Sequence, residues 1–95
     1  MLLNADFEDI KIQIQALHPD FFNQLNEKAT QKLTSLDLKY CSYIYLKMTT
    51  KQIAQALHVE PQSVRMFKYR LKQKFGLGKD VDLEIFLGNL NSIKR

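Results

Sequence analysis

Ninety-five residues, 45% hydrophobic and 25% charged, allow one small domain, or one domain with an arm, burying roughly 65% of its unfolded surface. One cysteine, Cys41, excludes an internal disulfide and a cysteine metal cluster; no apolar run approaches the ~18 residues of a membrane span, and Met1–Asp6 lacks the basic and apolar blocks of a signal peptide, so a cytoplasmic setting is expected. The net charge of +4 is uneven: residues 1–30 carry two lysines against five acids, residues 31–60 four against two, and residues 61–95 eight bases against three acids.

The chain reads as helices throughout, with no sustained strand alternation. Phe7, Ile10, Ile14 and Leu17 lie on one face of a first helix, which His18-Pro19 ends. Pro19 can open a short second helix bearing Phe21, Phe22 and Leu25. Thr34 starts a third, because Thr34-Ser35-Leu36-Asp37 has capping-box spacing, and Leu38, Cys41, Tyr45 and Met48 form its stripe. Thr49-Thr50-Lys51-Gln52 is a second such box, ahead of Ile53, Ala54 and Leu57. After His58-Val59-Glu60, Pro61 suits the first position of a helix whose stripe is Val64, Phe67, Leu71 and Phe75, closed by Gly76 or Gly78. Asp80 can cap a last helix with the stripe Leu83, Phe86, Leu87 and Leu90.

Two helices joined by a turn of about three residues, the second one basic, spell a helix-turn-helix. The fold expected is all-α: this unit in residues 31–95, with an N-terminal helical arm in residues 1–30 and a C-terminal interface helix. Advancing about 100° per residue from Val64 keeps Leu71 and Phe75 within about 20° of it and turns Gln62, Met66, Tyr69 and Gln73 outwards. Arg65 and Lys72 fall on one shoulder, Ser63 and Arg70 on the other. Residues 61–75 hold Arg65, Lys68, Arg70, Lys72 and Lys74 and no acid. A merely solvated helix would interleave Glu with Lys, so this mixture of amide, apolar, aromatic and basic groups suits base edges and phosphates.

Several runs also carry a resemblance to a known family. Leu33-Thr34, Thr49-Thr50-Lys51-Gln52-Ile53-Ala54, Ser63-Val64-Arg65 and Lys74-Phe75-Gly76-Leu77 resemble the LuxR-type (GerE-like) DNA-binding domain in order and spacing. Asp37-Leu38-Lys39-Tyr40-Cys41-Ser42-Tyr43-Ile44 and Lys68-Tyr69-Arg70-Leu71 are similar to the version ending Bacteroidetes-type transcriptional regulators, as is His18-Pro19-Asp20-Phe21-Phe22 upstream. The resemblance spans roughly residues 18–90. It implies that Arg65, Met66 and Tyr69 face the major groove, that Lys51 touches phosphate, that Lys68 and Lys72 lie near the DNA backbone, and that Leu83, Phe86, Leu87 and Leu90 belong to a dimerisation helix. One departure is Glu60, where the family usually caps the recognition helix with Ser or Thr.

The expected function is sequence-specific duplex DNA binding in transcription control, with helix 61–75 in the major groove. The candidate DNA-contacting set is Lys51, Gln62, Ser63, Arg65, Met66, Lys68, Tyr69 and Lys72, and the expected assembly is a homodimer, at least on DNA. The rival readings are a helical protein-interaction module and a sigma region-4-like element on RNA polymerase. No catalytic arrangement, cofactor motif or small-molecule site is expected. His18 and His58 sit in no ligand cluster, Cys41 lies on an apolar stripe, and Tyr40, Tyr43 and Tyr45 suit core or interface better than single-stranded bases. Asp6, Glu8 and Asp9 suit the helix dipole without any chemistry.

Overall fold

The computed structural model describes residues 7–90, so Asp6 and the outer ends of both expected segments lie outside the described residues. Within them the chain forms six α-helices in the order α1 (Phe7–Leu17), α2 (Phe21–Lys28), α3 (Ser35–Tyr45), α4 (Thr50–Leu57), α5 (Pro61–Lys74) and α6 (Leu83–Gly88), and no strand.

Local chemistry sets most of the boundaries. Thr34 and Thr49 each accept from the amide three residues on, at 3.0 and 3.1 Å, and Asp37 and Gln52 accept in return from the cap amides. Both capping boxes are therefore complete. Three chain reversals put a residue in the left-handed region: Lys47 at φ 69°, His58 at φ 58° and Gly76 at φ 67°. At each, the next amide donates back to a carbonyl five residues earlier: Met48 to Tyr43 at 3.1 Å, Val59 to Ala54 at 3.0 Å, and Leu77 to Lys72 at 2.9 Å. These are Schellman ends, which satisfy carbonyls that a helix terminus would otherwise orphan.

The core is shared by every helix. Ile10 and Ile14 of α1 and Phe21 and Leu25 of α2 are fully buried, in the same cluster as Tyr40, Cys41, Ile44, Ile53, Val64, Leu71 and Leu87. Burying each of these aliphatic side chains contributes about 1.5–3 kcal/mol. Helix α3 runs through the middle. It packs on α1 and α6, meets α5 where Tyr40 stacks on Phe67 with centroids 3.9 Å apart, and buries Tyr43, Cys41 and Ser42 as well. Tyr40 and Tyr43 are thus core residues, offering no ring to single-stranded bases.

Three sequence expectations need correction. Leu17 is exposed rather than buried; His18 takes its place, 2% exposed, with its ring edge-on to Phe21 at 5.6 Å. The chain turns at His18-Pro19 directly after Leu17, the last residue of α1, and the His18 ring rather than the Leu17 side chain fills the core there. Pro19 lies in that turn, and α2 starts at Phe21. The cap of α6 is Asp82 rather than Asp80: its carboxylate accepts from the Glu84 and Ile85 amides at 2.8 and 3.3 Å. Starting the helix at Leu83 puts Leu83, Leu87 and Leu90 at helical spacing toward the core, all 3% exposed or less.

Candidate nucleic-acid interface

Helix α5 is aimed by contacts at both ends and along its inner face. Its entry is the His58 reversal, after which Glu60 adopts an extended conformation and Pro61 occupies the first helical position. Pro there gives up an amide that has no helical partner anyway. Glu60 makes no side-chain cap bond, so the departure from the usual Ser or Thr leaves this end held by backbone geometry alone. Inside, Val64 and Leu71 are fully buried and Phe75 nearly so. At the far end the Thr30 amide and hydroxyl both donate to the Lys74 carbonyl, at 2.7 and 2.9 Å. The Lys74 ammonium reaches across to the buried carboxylate of Asp37 on α3.

The outer face follows from the same periodicity. Gln62, Arg65, Met66, Tyr69, Arg70 and Gln73 line one open concavity along the helix. Met66 and Tyr69 are 50% and 58% exposed, the most exposed large apolar side chains on α5. The Arg65 guanidinium donates to Gln62 Oε1 at 3.3 Å within the same face. No carboxylate lies among these residues. A row of apolar and amide groups between two guanidiniums can meet thymine methyls and base edges while neutralising phosphate. Ser63 is exposed on the first turn of α5 and Lys51 on the first turn of α4. Arg70 and Gln73 belong to this face although the candidate set omitted them; the helical wheel already carried that signal.

The basic run is less free than its sequence suggests. Lys68 Nζ lies 3.0 Å from Glu84 Oε2 and 3.0 Å from Thr50 Oγ1. Lys72 Nζ donates to the Lys79 carbonyl at 3.2 Å. With Lys74 bound to Asp37, two of the five bases in residues 61–75 meet acids supplied by other helices. Arg65, Lys68 and Lys72 border a second concavity whose far wall carries Asp82 and Glu84. One flank of α5 is therefore partly charge-compensated, whereas among the described residues no ion pair holds Arg65 or Arg70 on the outer face.

The expected interface stripe also changes meaning. Leu83, Leu87 and Leu90 are buried in the chain's own core, so they have no surface left for a partner. Phe86 is half-buried against Phe75, with centroids 5.2 Å apart. What α6 shows outside is chiefly Ile85, 61% exposed.

Other reactive groups are occupied structurally. Cys41 is fully buried, and burial, helped by the nearby Asp37 charge, pushes its thiol up to about 12. It stays protonated at neutral pH and is no nucleophile. Among the described residues no group of three His, Cys, Asp or Glu side chains is placed to hold a metal ion. No helix among them is long and apolar enough to cross a membrane.

The family model described as bacterial regulatory proteins, luxR family, matches residues 32–87. That span runs from three residues before α3 to within α6 and includes the whole of α5. No curated protein and no solved structure compared with the chain matches it.

Proposed function

The chain belongs to the luxR family of bacterial regulatory proteins, and we propose that it binds duplex DNA sequence-specifically in transcription control, in the bacterial cytoplasm. The observation that carries this reading is the outer face of α5: exposed, free of carboxylates, and backed by a helix anchored at both ends. In this reading Gln62, Arg65, Met66 and Tyr69 read base edges in the major groove, while Lys51, Ser63 and Lys72 position the DNA backbone. Arg65 is the candidate for a bidentate guanine contact, with Gln62 steadying its guanidinium.

Selection of a preferred site from a random duplex library, with affinities measured at several salt concentrations, tests the reading. Arg65→Ala costs about 1–3 kcal/mol on the preferred site and relaxes choice at one base pair. Lys51→Ala weakens all duplexes alike and lowers the salt slope by roughly 1. Equal losses on preferred and random duplexes for Arg65→Ala make it a phosphate contact instead.

A two-fold pair on DNA, with recognition helices about 34 Å apart on an inverted repeat, would meet through Ile85 and the open edge of Phe86. Ile85→Asp, with mass measured on a palindromic duplex, tests that arrangement. A strictly 1:1 complex in the unaltered chain rules it out.

A further inference from the structure

We propose that Lys68 is a positioning residue for base reading rather than a phosphate contact: one ammonium, shared by Glu84 and Thr50, locks α5 against both α4 and α6. The inference rests on the duplex-binding reading above and assigns this lysine a different role within it.

An ammonium has three donors. Two are spent here, on Thr50 Oγ1 and Glu84 Oε2, each at 3.0 Å. The Lys68 side chain is only 17% exposed, and Glu84 is 46% exposed. Each acceptor is itself fixed. Thr50 is the first residue of α4, directly after the Thr49 cap and inside the completed Thr49–Gln52 capping box. Glu84 sits in the first turn of α6, where a carboxylate is favoured by the helix dipole and where Asp82 caps the chain. Lys68 therefore joins three helices at one point.

That point lies on the shoulder of α5 between its buried and reading faces. Arg65 is three residues before it and Tyr69 is its neighbour, so a small rotation of α5 moves both.

Charge bookkeeping separates the two roles. A lysine contacting phosphate releases counterions and adds to the salt slope. Lys68 is already neutralised by Glu84. To reach a phosphate it would surrender that partner and leave Glu84 facing the DNA backbone. As a lock it contributes nothing to the slope, and its loss appears in discrimination. Removing Glu84 then weakens specific binding to a polyanion, opposite to what deletion of a nearby negative charge does by electrostatics alone.

The experiment uses the full chain and its library-selected duplex, reading affinity for that site and for a scrambled duplex across salt, with circular dichroism melts to set a temperature at which every variant is folded. Lys68→Met and Glu84→Ala each lower the specific-to-scrambled ratio by roughly 5-fold or more and leave the salt slope unchanged. Glu84→Gln, which keeps an acceptor in place, retains most of the ratio. The reversed pair, Lys68→Glu with Glu84→Lys, restores it to within about 3-fold of the unaltered chain, a rescue that a phosphate-contacting lysine does not allow. The inference is overturned if Glu84→Ala tightens both duplexes and steepens the slope. It also fails if Lys68→Met flattens the slope by about 1 without changing the ratio, if neither variant changes the ratio, or if the reversed pair stays as poor as the single variants. Absence of binding by the unaltered chain to any library duplex is a separate result: it removes the duplex-binding reading and, with it, this role for Lys68.

Discussion

Asp37→Asn tests the joint between α3 and the end of α5. The Asp37 side chain is 3% exposed, accepts from the Thr34 amide at 2.8 Å, and is bound by the Lys74 ammonium. Burial alone pushes this carboxyl up and is the largest single influence. The Lys74 hydrogen bond, the Thr34 amide and hydroxyl, and the lysine charge together outweigh it and hold the group below its ordinary value. Asparagine keeps an oxygen for the Thr34 amide, so the capping box survives and the lost element is the countercharge of Lys74. Breaking a fully buried ion pair from one side costs about 3–5 kcal/mol. Lys74 keeps 24% of its side chain in water, so the expected loss is nearer 2 kcal/mol. In a domain of this size that lowers Tm by roughly 8–16 °C. A carboxyl whose pKa is depressed on folding stabilises the folded state above its unfolded pKa, and that stability fades as pH falls through the folded value. Urea unfolding at pH 7 and at successively lower pH therefore shows a gap between Asp37→Asn and the unaltered chain that closes below the carboxylate range. A gap under about 0.5 kcal/mol at pH 7, or one that is the same at pH 7 and at pH 3, refutes the reasoning.

Three further outcomes are expected. His58→Gly relieves a left-handed non-glycine residue at the helix-turn-helix turn and raises stability by about 0.5–1 kcal/mol in chemical denaturation, after the added freedom of the unfolded glycine is discounted. Phe21→Ala, at a fully buried aromatic of α2, costs about 3–5 kcal/mol in the same assay. If the N-terminal helices were peripheral to the core, that loss would be well under 1 kcal/mol. Cys41, buried with its thiol pushed up to about 12, reacts with an aromatic disulfide reagent at pH 8 only as fast as the chain unfolds; rapid labelling of the folded protein contradicts the packing described.

What could be read from sequence was local. Both capping boxes, the left-handed glycine after α5, and the outward set Gln62, Met66, Tyr69 and Gln73 depend on residues within a turn or two of each other, so periodicity and cap chemistry carry them. The ion pairs were not legible. Lys68–Glu84 and Lys74–Asp37 span 16 and 37 residues, and nothing in the run from 61 to 75 announces which lysine an acid from another helix will claim. Leu83, Leu87 and Leu90 show the same limit. An apolar stripe states that a face is covered, and only the packing tells whether the cover is the chain itself or a partner. His18 and Leu17 exchange places at the turn that ends α1, where the His18 ring packs on Phe21 and Tyr45, a tertiary contact that helical spacing does not carry.

The double donation from Thr30 to the Lys74 carbonyl has a practical consequence for trimming the protein. A fragment starting where the family match begins, at residue 32, loses Thr30 and lets the last turn of α5 fray from its exit. It also loses Ile10, Ile14, Phe21 and Leu25 from beneath α3, opening apolar surface that would drive such fragments to associate. The recognisable stretch is shorter than the stretch that builds the core. An excised piece that retains every residue on the outer face of α5 would still present it on a helix whose far end has been untied.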